Sequence, residues 1–283
     1  MGKFSKKINH ELFTTNFTPE SVYILGLLWA DGYLEKKSNL IRLECVMEDI
    51  LEFYPIFMST GEFSLNKRQR LNRKDQGIIN GSSLELCNFL KENDYSEKTF
   101  LSPTKILKLV PIDLLKFFYL GWSDGDGCFY NNKNYNCIQF IMSGSYDQNW
   151  ESLITLCDEL NISYKIDRFI TKKSHRYSRF LINRNEDILK FGGFIYTETN
   201  IGLKRKRDKF NSIKTYINEK NSSVFVCYDR MGNEVNRFNT LKLASDWLDR
   251  GRYVGSSIRD SIIGRQPTAY NFIWKEFKQT IFH

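Results

Sequence analysis

Apolar and polar residues alternate over residues 39–48, which is the period of a half-buried β-strand. One face of this strand would carry the apolar side chains, namely Ile41, Leu43, Cys45 and Met47. Before the strand, Thr18-Pro19-Glu20 predicts a helix start, because Thr can cap a helix and Pro fits its first turn. Residues 61–80 predict two strands around a basic turn, and residues 82–93 predict a capped helix.

The same order of elements returns in the second part of the chain. Pro111 opens a second helix, over residues 111–127. The following segments predict two strands at 128–132 and 136–144, a helix at 149–161, and two polar strands at 164–173 and 176–183. Asp126 follows Asp31 after 95 residues, a spacing too long for a solenoid repeat. The pattern therefore predicts an internal duplication into two pseudo-symmetric half-domains.

A change of composition marks the end of the second half. Residues 201–223 are basic and then polar, which predicts a last helix that runs into a linker. Beyond them, residues 224–238 resemble a hairpin, and 240–251 and 254–265 resemble two short helices. We therefore predict half-domains at 1–115 and 116–217, a linker at 218–223 and a small DNA-binding module at 224–283.

Composition and charge narrow the class of partner. The chain is 41% hydrophobic and 26% charged, which is ordinary for a globular protein, and no apolar run is long enough for a membrane span. The first residues lack the features of a secretory signal, so we expect an intracellular protein, in the cytoplasm of a bacterial or phage-infected cell or in an organelle matrix. Six cysteines are scattered without a C-x-x-C pair, which suggests neither a zinc site nor disulfides. A net charge of +8 favours a nucleic acid as partner, although such charge can also serve solubility alone.

Two acidic segments, residues 24–32 and 119–127, can be superposed without a gap. Small residues fall on small residues and acids on acids: Gly26 on Gly121, Ala30 on Gly125, Asp31 on Asp126 and Gly32 on Gly127. Small residues four apart lie on one face, so two such helices can cross with their backbones close together. Both acids would lie at helix C-termini, where the helix dipole disfavours a negative charge by ~0.3–1 kcal/mol. A bound divalent cation would offset that cost, whereas an isolated Asp-Gly pair more often only begins a turn.

These segments resemble the LAGLIDADG motif of homing endonucleases. The second copy is the closer match, since Trp29 stands where the motif usually has its first acid. The resemblance implies α+β half-domains of the order αββαββα, whose two sheets form a saddle along the DNA. It implies that Asp31 and Asp126 are catalytic and bind Mg²⁺, or Mn²⁺ in its place, together with Gly32 and Gly127. Asp124 matches the acid that is mainly structural in that family.

A lysine near the metal is a further expectation from the resemblance. Lys98, just before the second motif half, and Lys204, at the end of the second half, occupy similar places relative to their half-domains and match where the family often carries an active-site lysine. An ammonium group there could stabilise the negative charge that builds up during phosphodiester cleavage. The alternative for each is a solvated surface lysine.

Basic residues cluster at the predicted hairpins of both halves, where arginine can read guanine edges and lysine can hold phosphate. We expect DNA contacts from Arg68, Arg70, Arg73, Lys74, Gln139, Lys172, Lys173, Arg176, Arg179 and Arg205. The C-terminal segment resembles the modular DNA-binding domains attached to many homing endonucleases, with a hairpin followed by a helix-turn-helix-like pair. In it, Ser256 and Arg259 would enter the groove, and Arg252 and Arg265 would hold the backbone.

The sequence thus predicts a monomeric, site-specific homing endonuclease that makes a staggered double-strand break in a long DNA target and is encoded by a mobile intron. Two alternatives stay open. One is an intron maturase, in which the basic grooves would bind RNA. The other is a DNA-binding regulator without catalytic activity, against which the retention of both Asp31 and Asp126 argues.

Overall fold

The computed structural model describes residues 8–35, 38–69, 71, 74–132, 137–171, 174–221, 223–249 and 254–278. The chain divides into two compact units, Met1–Phe210 and Asn211–His283. Within the described segments, every helix is too short or too polar to cross a membrane.

The first half-domain places helices around a four-stranded sheet. Its elements are α1 (Glu11–Thr14), α2 (Pro19–Asp31), β1 (Gly32–Leu34), β2 (Leu40–Val46), α3 (Met47–Met58), β3 (Ser64–Arg68), β4 (Gln76–Ser82), α4 (Leu84–Glu92) and α5 (Thr104–Leu109). The predicted start of α2 is confirmed, because Thr18 and Ser21 each bond the other's backbone N–H through their hydroxyl oxygens, at 3.2 and 2.9 Å. Ser83 caps α4 in a similar way, accepting from the Leu86 N–H at 3.1 Å.

The second half-domain repeats this order. Its elements are α6 (Leu115–Asp126), β5 (Gly127–Asn132), β6 (Cys137–Ser145), α7 (Glu151–Glu159), β7 (Lys165–Ile170), β8 (Arg176–Ile182), α8 (Asn185–Tyr196) and α9 (Lys204–Asn221). The two antiparallel sheets have matching strand orders, β1-β2-β4-β3 and β5-β6-β8-β7. The predicted α+β fold of two αββαββα half-domains is confirmed.

Each sheet buries one face and leaves the other open. In β6, Ile138, Phe140 and Met142 are buried, whereas Gln139 and Ser143 point the opposite way. The alternation in the first half ends earlier than predicted. Strand β2 stops at Val46, and residue 47, assigned to the strand by its alternation, begins helix α3 instead. The apolar segment after it is therefore helical, with its buried residues about one turn apart at Ile50, Phe53 and Phe57.

Helices α2 and α6 cross with their backbones in contact. A Cβ atom built on Gly26 would lie 2.0 Å from the carbonyl oxygen of Phe118, and one built on Gly121 would lie 2.1 Å from that of Tyr23. The two contacts correspond, because Phe118 follows Tyr23 by the same 95 residues that separate the two glycines. Only glycine allows an approach this close, so the superposed small residues form the interface between the half-domains.

The C-terminal unit has its own small core. Its elements after α9 are β9 (Ser223–Tyr228), β10 (Glu234–Phe238), α10 (Leu241–Trp247), α11 (Val254–Ile262) and β11 (Ile273–Lys278). The predicted hairpin and helix pair are present, and β11 adds a strand that the sequence did not indicate, in a sheet of order β10-β9-β11. Trp274 fills the core and donates from Nε1 to the Ala269 carbonyl at 3.0 Å. Residues 218–221 of the predicted linker are helical, because α9 continues to Asn221.

Candidate functional site

The two acids of the repeated motif meet where helices α2 and α6 end. Asp31 and Asp126 are the last residues of these helices. A Cβ atom on Gly125 would lie 3.2 Å from Oδ2 of Asp31, so the carboxylate of one helix lies over the end of the other. Burial, together with the charge of Asp31, raises the pKa of Asp126 to about 6. Burial also raises the pKa of Asp31, although that side chain is open to solvent on one side. The structure therefore brings the two predicted catalytic acids into one electrostatic site.

Lys98 closes the C-terminal end of α2. Its Nζ donates to the carbonyl oxygens of Leu28, Trp29 and Ala30 at 3.0, 2.8 and 2.7 Å. Three donated bonds use all three hydrogens of an ammonium group. Burial lowers the pKa of Lys98 to about 8, and the charges of Asp126 and Asp31 oppose this shift.

Tyr95, which the sequence did not single out, supports the same helix end. Its hydroxyl donates to the Leu28 carbonyl at 2.6 Å, and its ring centroid lies 5.1 Å from Nζ of Lys98. Gly32, the residue directly after helix α2, has an ordinary extended conformation. Its lack of a side chain is needed for space, because a Cβ atom there would lie 2.5 Å from the Tyr95 hydroxyl.

Lys206 closes the end of α6 in the same way. Its Nζ donates to the carbonyl oxygens of Ser123, Asp124 and Gly127 at 2.8, 2.6 and 2.7 Å. Burial lowers the pKa of Lys206, as it does for Lys98. The structure thus provides one ammonium group for each acid-bearing helix.

Lys204, predicted for this role, does not reach the acids. It is exposed and pairs with Asp208 one turn along α9, with 2.5 Å between Nζ and Oδ2. The helical periodicity of this segment distinguishes Lys206 from Lys204. Leu203 and Phe210 are apolar positions one heptad apart, and Lys206 lies between them on the same face, while Lys204 does not.

Lys98 and Lys206, and not a bound metal, explain how the two acids are tolerated at helix C-termini. The sequence alone predicts a bound cation as the compensation for the unfavourable helix dipole. In the structure, an ammonium group already lies against the terminal carbonyls of each helix, which is the favourable position for a cation. A metal ion is therefore not required to stabilise the acids at the helix ends. If one binds, its ligands are the two carboxylates and a substrate group.

The donor set fits a hard divalent cation such as Mg²⁺. Mg²⁺ is commonly held by one or two carboxylates and completes its coordination with waters and substrate phosphates. Asp31 and Asp126 supply two carboxylates, and the described part of the chain has no group of three or more His, Cys, Asp or Glu that could form a fuller site. Of the predicted glycine ligands, Gly127 already accepts from Lys206 through its carbonyl. Gly32 lies directly after Asp31 at the same helix end.

Asp124 is buried away from this site and joins three elements. Its Oδ2 accepts from the Tyr23 hydroxyl and from the Leu203 N–H, both at 2.8 Å. Burial raises its pKa to about 6, and Lys206 and these hydrogen bonds oppose the shift. The hydrogen bond from Tyr23 to Asp124 crosses between the half-domains, and the positions that correspond to these two residues are Phe118 and Trp29. An acid in place of Trp29 would therefore have no tyrosine hydroxyl at the corresponding position to bond, which explains why one motif lacks the acid.

The first sheet carries several of the predicted DNA-binding residues near its open face. Arg68 ends β3 and lies 3.5 Å from Glu44, and Lys74 pairs with Glu48 at 2.8 Å. Both basic side chains remain largely exposed. Arg70 and Arg73 lie outside the described residues. Sequence reasoning missed a polar pair between neighbouring strands of this sheet, in which Nε of Arg42 donates to Oδ1 of Asn80 at 2.9 Å.

The second sheet presents arginines stacked on aromatic rings. Arg179 lies 5.3 Å from the ring centre of Phe169 and 5.2 Å from that of Tyr177, and these rings stack on each other. Arg176 lies 4.1 Å from the Tyr146 ring. Gln139 faces the open side of β6, as predicted from its alternation. Lys172 and Lys173 lie outside the described residues.

Arg205, predicted to contact DNA, is engaged elsewhere. It forms two hydrogen bonds to the carboxylate of Asp49, at 2.7 and 2.6 Å, and Asp49 is buried. In the C-terminal unit, Ser256 and Arg259 lie on the exposed face of α11, opposite the buried Val254 and Ile258.

Of the remaining two predicted residues of the C-terminal unit, the structure describes one. Arg265 is exposed and pairs with Asp260 at 3.3 Å. Arg252 lies outside the described residues.

Comparison with solved structures identifies the fold. No protein-family model and no curated protein matches the sequence. Among solved structures, the homing endonuclease I-WcaI bound to its DNA recognition sequence matches with a TM-score of 0.50 and 14% identity, over 74% of this chain and 94% of that one. The LAGLIDADG homing endonuclease I-GzeII in complex with its DNA target matches with a TM-score of 0.46 and 14% identity, over 72% and 91%. The N-terminal LAGLIDADG domain of DUF199/WhiA matches with a TM-score of 0.44 and 20% identity, over 73% and 93%. The chain has the two-domain LAGLIDADG fold.

Proposed function

We propose that this protein is a site-specific DNA endonuclease that makes a staggered double-strand break and requires Mg²⁺, for which Mn²⁺ can substitute. The observation that carries the proposal is the meeting of Asp31 and Asp126 at the ends of two crossing helices, each of which has a lysine at its terminal carbonyls. Two similar acids in two similar halves provide one acid for each DNA strand. We infer further, from the sequence resemblance, that the gene lies in a mobile intron.

Each group at the site has a distinct part in such a reaction. When bound, Mg²⁺ would lower the pKa of a ligated water and stabilise the leaving oxygen of the phosphodiester. Asp31 and Asp126 would hold the cation, with Gly32 and Gly127 as predicted further ligands. Lys98 and Lys206 would place positive charge beside the phosphate, where negative charge builds up in the transition state. Because all three hydrogens of Lys98 are donated to carbonyls, it would act as a positive charge and not as a base.

The DNA would lie along the open faces of the two sheets. Both faces carry polar or basic side chains, including Arg68 and Lys74 in one half and Arg176 and Arg179 in the other. Arginines stacked on aromatic rings lose less freedom on binding, because the guanidinium plane is already oriented. A single chain supplies both halves, so we expect a monomer on a long double-stranded target.

We infer that the C-terminal unit is a second DNA contact. Helix α11 is amphipathic, with Val254 and Ile258 in the core and Ser256 and Arg259 facing outward. Such a unit on the same chain would raise the effective concentration of the nuclease at its target without a tighter main site.

The proposal is tested by separating binding from cutting. The double variant Asp31→Asn/Asp126→Asn keeps both sheet faces but loses the two negative charges, so it is used to select bound duplexes from a randomised DNA library. We expect the unaltered protein with Mg²⁺ to linearise plasmids that carry the selected sequence. Each single Asn variant should bind this DNA and fail to linearise it, whereas Asp113→Asn, at an exposed acid just before α6, should cut normally.

Three results would contradict the proposal. Linearisation at the normal rate by either single variant would show that the acids are not catalytic. Binding of the selected DNA by the unaltered protein without any cutting would indicate a DNA-binding regulator. RNA binding that promotes intron splicing, with no cutting of any DNA, would indicate a maturase.

A further inference from the structure

The segment that carries Lys98 is held by the second half-domain. The backbone carbonyls of residues 99–101 accept hydrogen bonds from residues at the end of β6 and just before α7. Ser145 Oγ donates to Thr99 at 2.5 Å, and Gln148 Nε2 donates to Leu101 at 2.9 Å. The backbone N–H of Asn149 donates to Phe100 at 2.8 Å. Gln148 is buried, and its Nε2 also lies 3.4 Å from the carbonyl oxygen of Lys98 itself.

The segment that carries Lys206 is held by the first half-domain. Asp49, in the first turn of α3, accepts two hydrogen bonds from Arg205 at 2.7 and 2.6 Å. Glu52, one turn later, accepts from the backbone N–H of Lys204 at 2.7 Å. The carboxylate of Glu52 therefore satisfies one of the free N–H groups at the start of α9, where a negative charge is favourable.

The two attachments lie at the same place in the repeated order. Asp49 and Glu52 belong to the helix that follows the second strand of the first sheet, and Gln148 and Asn149 stand just before the helix that follows the second strand of the second sheet. Each half-domain thus holds the lysine-bearing segment of the other. The chemistry differs, because one attachment is ionic and bidentate and the other uses an amide and backbone carbonyls.

We propose that Asp49, Glu52 and Gln148 are positioning residues through which each half-domain fixes the lysine at the end of the other's acid-bearing helix, so that either of the two strand cuts can be impaired from across the interface. This inference rests on the proposed endonuclease activity. None of the three residues lies among the groups assigned to the metal or to DNA. Misplacement of a catalytic group by about 1 Å can slow a reaction roughly a hundredfold, so loss of an attachment should be measurable in the rate of one cut.

The test follows each strand of the selected DNA separately, with a different end label on each. We expect Asp49→Asn and Gln148→Met to slow cleavage of opposite strands by about tenfold or more, with the other strand within about twofold, so that nicked plasmid accumulates. Leu51→Ala on α3 and Glu151→Gln on α7 change exposed side chains of the same two helices and should leave both cuts unchanged. Equal slowing of both strands, or slowing of the same strand by both variants, would overturn the inference.

A second measurement does not depend on cutting. Acylation of lysine side chains, followed by mass spectrometry of the full chain without DNA, should become faster at Lys206 in Asp49→Asn and faster at Lys98 in Gln148→Met. If acylation changes in this way but the unaltered protein cuts nothing, the endonuclease proposal fails and the positioning role stands. If the protein cuts DNA but neither acylation nor strand preference changes, the positioning role fails.

Folding of the variants is controlled separately. Asp49 is buried, and its replacement can lower the stability of the fold, so Asp49→Asn is accompanied by Glu52→Ala, which removes an exposed side chain. Glu52→Ala should slow the same strand as Asp49→Asn. Asp49→Glu restores the charge and should recover part of the lost rate. A strand preference for Glu52→Ala opposite to that of Asp49→Asn would contradict the inference.

Discussion

Replacement of Gly121 by alanine would force apart the two helices that carry the acids. The new Cβ atom would lie 2.1 Å from the Tyr23 carbonyl oxygen, whereas ordinary contacts begin at 3.4 Å, so α2 and α6 would have to separate by about 1.3 Å. Overpacking of this kind costs ~3 kcal/mol at the upper end of its usual range, and alanine regains ~1 kcal/mol of helix propensity, which leaves a loss of about 2 kcal/mol. Gly26→Ala should cost about as much, because the corresponding distance is 2.0 Å.

Urea unfolding of the full chain, followed by hydrogen exchange of peptides from α2 and α6, measures this loss without interference from the C-terminal unit. Gly193→Ala is the matched control, since it lies in helix α8 and a Cβ atom there would meet nothing within 4 Å. We expect it to be neutral or to stabilise by ~0.5–1 kcal/mol. If Gly121→Ala were within about 0.5 kcal/mol of Gly193→Ala, the close backbone crossing would be refuted.

Two further predictions concern charge. In the proposed reaction Lys98 acts as an ammonium group, and its pKa is about 8. The cutting rate should therefore fall as the pH rises through about 8, and Lys98→Arg, which keeps its charge, should move this fall to higher pH. A pH–rate profile measures both, and a rate that rises through pH 8 would instead indicate that neutral Lys98 acts as a base. Arg259→Ala should weaken binding of the selected DNA, as measured by fluorescence anisotropy. The slope of log Kd against log salt concentration should fall by about 1, the contribution of one phosphate contact. An unchanged salt dependence would show that Arg259 on α11 does not contact DNA.

The crossing of the two motif helices could be predicted because its cause is local. Glycines at matching positions, together with Ala30 opposite Gly125, indicate a close helix contact wherever the helices meet. Strand alternation likewise fixes which face of each sheet is buried, since the side-chain period does not depend on the rest of the fold. The acids, the sheets and the order of elements therefore followed from short stretches of sequence.

The lysine of the second half could not be predicted by the same comparison of repeats. The position 95 residues after Lys98 is Gly193, in helix α8, and the segment that carries Lys206 comes only after that helix. Repeat spacing fails where the two halves differ in length, so only the helical phase of α9 distinguishes Lys206 from Lys204. The contacts of Asp49 and Gln148 were beyond sequence reasoning for another reason, because each depends on residues more than 45 positions away in the chain.

The charges of the two lysines bear on the proposed need for a divalent cation. Asp31, Asp126, Lys98 and Lys206 together carry no formal net charge, and each ammonium group already shares its hydrogens among three carbonyl oxygens. The folded protein alone therefore has a balanced site. Under the proposed function, a DNA phosphate would bring a negative charge to this place, next to two carboxylates whose burial already disfavours their ionised forms. The two lysine charges are already matched by the two carboxylates, so on this proposal the need for a divalent cation arises from the complex with DNA and not from the fold.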